Sequence, residues 1–123
     1  MSAMLGFLHA YGSRVLILFA VLLALWGTLQ YFRDQRVGGG FRSSYLIMAG
    51  LTPLQGLLGL GALLAGSHPR EGILHMVYGI FATLFLPGAY LYAHQGNPRR
   101  EALTLAGAAW IVSIAFFRGI ATG

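Results

Sequence analysis

The chain has 123 residues, 57% of them hydrophobic and only 9% charged, with a formal net charge of +5. So little charge cannot cover a soluble domain of this size, and the length allows a single domain. With no cysteine, disulfides, thiolate metal sites and c-type haem attachment are excluded. With no lysine, all eight basic residues being arginine, so is a Schiff-base chromophore. The arginines sit at the edges of apolar runs, where they act as topology signals, so the positive charge does not point to nucleic acid.

A hydrocarbon core of about 30 Å needs roughly 20 apolar residues in a helix. The first run, 2–31, meets that length. Its start, MSAMLGFLHAYGSR, has no positive region ahead of the apolar stretch, and 15–31 lacks a small-residue cleavage pattern. It is therefore expected to stay as a span and not to be removed as a signal peptide. A loop, FRDQRVGGGFRS, broken by the glycines 38–40, leads to the second span at 44–65. In GSHPRE, Ser67 or His68 is expected to cap the third span, 69–94, with Pro69 and Glu71 in its first turn. Asn97, Pro98 and Glu101 then mark the start of the fourth span, 101–117. Pro53 and Pro87 fall inside spans, where packed membrane helices tolerate them as kinks. The short connections make successive helices antiparallel neighbours. The expected fold is all-α, an integral membrane four-helix bundle of up-down-up-down topology forming one transmembrane domain over 1–123.

Orientation follows from the arginines. Arg33, Arg36, Arg42, Arg99 and Arg100 fall on one side, and Arg14, Arg70 and Arg118 on the other. That bias puts both termini outside a bacterial inner (plasma) membrane. Tyr31, Phe32, Tyr90 and Tyr92 form the aromatic belt of the inner interface. The small residues of the second span (Gly50, Gly56, Gly59, Gly61, Ala62, Gly66) and of the fourth (Ala102, Ala106, Gly107, Ala108, Ala109) are expected to bury against neighbouring helices.

Polar groups that the bilayer should have excluded carry the functional signal. His9 and His75 each lie roughly 10 Å along their helices from the outer face. The first and third helices run in the same direction, so the two imidazoles share a depth. Two such rings facing a bundle interior are what axial ligation of a b-type haem requires. Arg14 and Arg118 lie near the outer end, suited to haem propionates. Gln55, near mid-membrane, is placed to bond a cofactor or a neighbouring helix. The plainer alternative is that the histidines and arginines anchor at the headgroups or bond backbone carbonyls. His68 and His94 sit in or beside loops and read as solvated. No Ser–His–Asp grouping, carboxylate pair or HExxH supports hydrolysis.

The order LHAYGSR, LQGLLGLGALL, ILHMVYGIFA, FFRGI resembles the small four-helix bacterial membrane proteins labelled cytochrome b-like. In that group the opening motif is similar to LHSGxR, with Pro and Met after the third-span His. Here Ala10 and Tyr11 replace Ser-Gly, and Met76 follows His75 directly. The resemblance implies haem b on His9 and His75 and an electron-transfer role in a respiratory or photosynthetic assembly. Two other readings stand beside it. One is a cofactor-free accessory subunit packed against other membrane subunits, the other a subunit that binds a quinone or pigment. All three have the lipid bilayer as their solvent.

Overall fold

The computed structural model of the chain describes residues 2–33, 38–66, 72–93 and 97–122. The expected cap of the third helix (Ser67, His68, Pro69, Glu71), the loop arginines Arg36 and Arg70, and His94 lie outside them. Four helices make up the fold: α1 (Ser2–Phe32), α2 (Gly39–Leu64), α3 (Gly72–Ala93) and α4 (Pro98–Thr122). All four are long and apolar enough to cross a membrane. Their order is that expected from the apolar runs, but three boundaries move. α2 begins at Gly39, ahead of the expected start at 44, because Gly38 is extended and the Arg42 N–H already bonds its carbonyl. α4 begins with Pro98, whose missing N–H is no loss in the first turn. The Asn97 side chain accepts from the Arg100 N–H at 2.8 Å, capping the helix. α4 also runs on past 117, so Arg118 is helical. Pro53 and Pro87 lie inside unbroken helices.

α1 packs against α4 and α2, and α3 against α4, whereas α2 and α3 touch sparsely. The helices therefore form a ring, with α1 and α3 on one diagonal and α2 and α4 on the other. One end, the terminal end, carries both chain termini; the other, the loop end, carries the α1–α2 and α3–α4 connections.

The loop end is the solid one. Phe41, Tyr45, Met48, Leu86, Leu105 and Val112 are fully buried there and along the middle of α4. The Tyr45 hydroxyl donates to the Leu86 carbonyl at 2.7 Å. Close approach of α1 to α4 depends on a small residue: a Cβ on Gly27 would lie 2.8 Å from the Ala106 Cβ. Outside the core, Arg99 sits over the Tyr31 ring at 4.7 Å and Arg100 over Tyr92 at 4.4 Å. These pairs join the arginines of the third connection to the expected aromatic belt.

A bidentate ion pair crosses the α2–α4 diagonal at this end. Arg42 donates to Glu101 through Nε at 3.0 Å and through a terminal nitrogen at 2.6 Å. The Glu101 side chain is 7% exposed and that of Arg42 38%. A charge-assisted fork closed over a buried carboxylate is worth about 2 kcal/mol. Glu101→Ala is expected to lower stability by about that amount, read from reversible unfolding of the purified protein in mixed micelles. An unchanged midpoint would show that the pair contributes nothing.

The expectation for the small residues holds for the alanines of α4 but not for Gly107, which is half-buried with no atom within 4 Å of where a Cβ would be, and only in part for α2. Ala102, Ala106, Ala108 and Ala109 are buried. Gly59 and Gly61 face α1 and Ala62 is buried, but Gly50, Gly56 and Gly66 are exposed with no atom within 4 Å of where a Cβ would be. Gly66 ends α2 at φ 109°, a conformation that favours glycine.

Candidate functional site

Toward the terminal end the bundle opens around a cavity of about 780 Å³ lined by all four helices. His9, two turns into α1, and His75, near the start of α3, reach it from opposite corners of the ring. Their ring centroids are 5.7 Å apart and the planes cross at 69°. The shared depth expected from the sequence is thus the observed one.

Each ring is held through Nδ1 by a backbone carbonyl of a neighbouring helix. His9 Nδ1 lies 3.1 Å from the Gln55 carbonyl on α2, and His75 Nδ1 2.9 Å from the Gly119 carbonyl in the last turn of α4. A carbonyl only accepts, so these contacts put the proton on Nδ1 of both rings and the lone pair on Nε2. Histidines that ligate a metal through Nε2 are commonly fixed this way.

Gln55 is the hub that ties α1 to α2. Its side-chain amide donates to Ser13 Oγ at 2.7 Å and to the His9 carbonyl, which also accepts from Ser13 Oγ at 2.8 Å. The amide nitrogen is also 3.0 Å from His9 Nδ1. That contact and the bond to the Gln55 carbonyl exclude each other, because a protonated Nδ1 cannot accept. Two glycines make room for this network. A Cβ on Gly59, one turn beyond Gln55, would stand 2.7 Å from His9 Cε1, so the imidazole rests directly on the α2 backbone. A Cβ on Gly12 would collide with the Gln55 carboxamide.

The expected arginines are placed less centrally. Arg118 is exposed; its Nε donates to the hydroxyl of Tyr78, a cavity-lining residue, at 3.3 Å. Arg14 is exposed on α1 and does not line the cavity. The structure thus joins His9, His75 and Gln55 directly, sets Arg118 beside them through Tyr78, and leaves Arg14 apart. It adds Ser13, Gly59, Gly119 and Tyr78 to the site. Ser13 follows His9, and Gly59 follows Gln55, by one helical turn; that spacing is the signal by which both could have been found.

No family model matches the chain, and no curated protein or solved structure matches it either.

Proposed function

We propose that the chain binds one b-type haem between His9 and His75 and serves as an electron-transfer subunit in a bacterial inner membrane. The observation that carries this reading is the pair of imidazoles facing across the cavity, each with Nδ1 on a backbone carbonyl. The spacing fits the group. An imidazole–metal bond is about 2 Å, so two such bonds plus the half-width of each ring place the centroids roughly 6 Å apart, against 5.7 Å here. Donor chemistry supports a macrocycle over a bare ion: among the described residues no three His, Cys, Asp or Glu gather to enclose a metal. Two histidines suit an iron that brings its remaining ligands with it.

In this reading the iron supplies reversible one-electron chemistry. His9 and His75 would hold it. Gln55, Ser13 and Gly59 fix the tilt of His9, and Gly119 fixes that of His75. Leu16, Ala115 and Phe116 keep the cavity floor apolar, which holds water away and lowers the local dielectric. Arg118, bonded to Tyr78, would pair with a propionate. The arginine asymmetry supports an orientation with both termini outside and the site near the outer leaflet.

The test is an absorption spectrum of the detergent-purified protein, oxidised and then reduced with dithionite. A Soret band that shifts on reduction, with a narrow α band, is expected. A folded preparation that stays colourless after hemin titration would overturn the reading.

A second reading, a cofactor-free accessory subunit, is favoured by a separate groove of about 800 Å³ between α3 and α4. Phe85, Gly88, Thr104, Gly107 and Ile111 line it. Small residues in an exposed groove suit a partner's transmembrane helix. Under this reading the colourless chain copurifies with a larger membrane complex and Gly107→Leu releases it.

A further inference from the structure

The four seams of the bundle are not equally closed at the level of the two histidines. Between α1 and α2, the Gln55–Ser13–His9 network and the contact of Leu5 with Gly61 shut the gap. The α3–α4 seam is held by His75 on Gly119 and by Arg118 on Tyr78; taken over their whole length, the α1–α4 seam is the most extensively packed of the four and the α2–α3 seam the least. Between α2 and α3 the side-chain contacts, Tyr45 with the Leu86 carbonyl and with the Tyr90 ring, lie at the loop end. Exposure of the lining residues agrees. Of the lining residues of α1 and α4, Leu16 and Ala115 are buried and Ala10 and Ile120 exposed, whereas Gly56 and Leu60 on α2 and Met76 and Gly79 on α3 are all exposed. At the two glycines of that rim a Cβ would meet no atom within 4 Å, so they leave a gap and do not fill one.

We infer that the cleft between α2 and α3 is a lateral portal, through which a flat, largely apolar ligand dissolved in the bilayer reaches His9 and His75. The rim belongs to two helices apolar enough to span the membrane, so hydrocarbon is what bathes it. Past the rim, the imidazoles, Gln55 and Ser13 are among the polar groups of the lining, with Thr52, Tyr78 and Thr83, that would hold the centre or edge of such a ring. Glycine at the rim suits a planar body sliding in edge-on, as a porphyrin would; the identity of the ligand rests on the haem reading, while the route does not.

The route can be tested without any haem. The full chain is synthesised cell-free, without added hemin, into phosphatidylcholine vesicles and photolabelled with 3-(trifluoromethyl)-3-phenyldiazirine, which partitions into the hydrocarbon. Label is expected on His9 and Ser13 themselves, read residue by residue, because Phe7, Leu8 and Tyr11 of the same peptide are exposed on the outside of the bundle and take label directly. Because the chain has no cysteine, Gly79→Cys can be modified specifically with a benzyl thiosulfonate after folding. That adduct should cut the label about tenfold, as a barrier about 1.4 kcal/mol higher would, and a reductant should restore it. The same adduct on Gly107→Cys, on the other side of α3, should leave it unchanged. Label on His9 and Ser13 that ignores the Gly79 adduct, or equal label there from a charged, water-borne diazirine, would overturn the portal. Hemin added to the vesicles should protect His9 and Ser13; failure of protection alone would count against haem and leave the lateral route standing.

Discussion

His75→Phe is expected to abolish haem binding while leaving the bundle folded, and His75→Met to keep the haem at a higher reduction potential. The first substitution retains an aromatic ring of similar bulk at the 5.7 Å contact with His9 but removes the lone pair. If the two imidazoles were only an edge-to-face aromatic pair, Phe would serve as well and nothing spectroscopic would change. If they are axial ligands, loss of one removes a metal bond, an effect larger than the roughly 10–100-fold that loss of an outer-shell partner produces. Methionine restores a donor, and a Met/His pair on haem iron is the more oxidising combination. His9→Phe should behave like His75→Phe. Ser13→Ala, which removes the bond from Gln55 and the bond to the His9 carbonyl but no candidate ligand, should weaken hemin binding by about tenfold and leave the six-coordinate spectrum recognisable. Titration of hemin into the purified variants, with a redox titration of His75→Met, separates these outcomes. A Soret band of full intensity in His75→Phe would remove His75 from the ligand set.

The fold was legible because the bilayer imposes one strong rule: every backbone polar group must be met inside the segment that crosses it. Four apolar runs and short polar connections then leave few alternatives to a bundle. Depth was legible as well, since the rise per residue is constant along a helix and His9 and His75 can be counted from their ends. Rotation about the helix axis was not. All the spans are apolar on most of their circumference, so no amphipathic stripe tells which side of α2 faces α1. That is why Gly50 and Gly56 read the same as Gly59 in the sequence, yet only Gly59 lies under a side chain. Backbone acceptors were invisible for a different reason. The carbonyls that hold the two imidazoles belong to Gln55 and Gly119, and any residue type at those positions supplies one. Arg14 and Arg118 were chosen by distance from the helix end. Only Arg118 has its azimuth directed to the cavity side, through Tyr78.

The glycines of α2 therefore give the sharpest contrast to measure. Gly50→Ala is expected to raise stability by about 0.5–1 kcal/mol, the ordinary gain when a helical glycine acquires a methyl group in open space. No atom stands within 4 Å of that position. Gly59→Ala offers the same gain in helix propensity and should lose the site. Its methyl carbon would lie 2.7 Å from His9 Cε1, 3.1 Å from Nδ1 and 3.2 Å from Nε2, so the whole face of the ring is obstructed. Relief requires the imidazole to lift from α2, which stretches the bond from Nδ1 to the Gln55 carbonyl and changes the tilt of the ring toward His75. The helix backbone cannot yield in its place, because α1 and α2 are clamped one turn away by Gln55 on Ser13. Stability and ligand affinity should thus part company: Gly59→Ala near the parent in unfolding midpoint, with hemin affinity lower by about 10–100-fold. Gly50→Ala should be raised in midpoint and unchanged in affinity. Identical hemin titrations for the two variants would mean that the seat of His9 on the α2 backbone does not set the direction of its nitrogen.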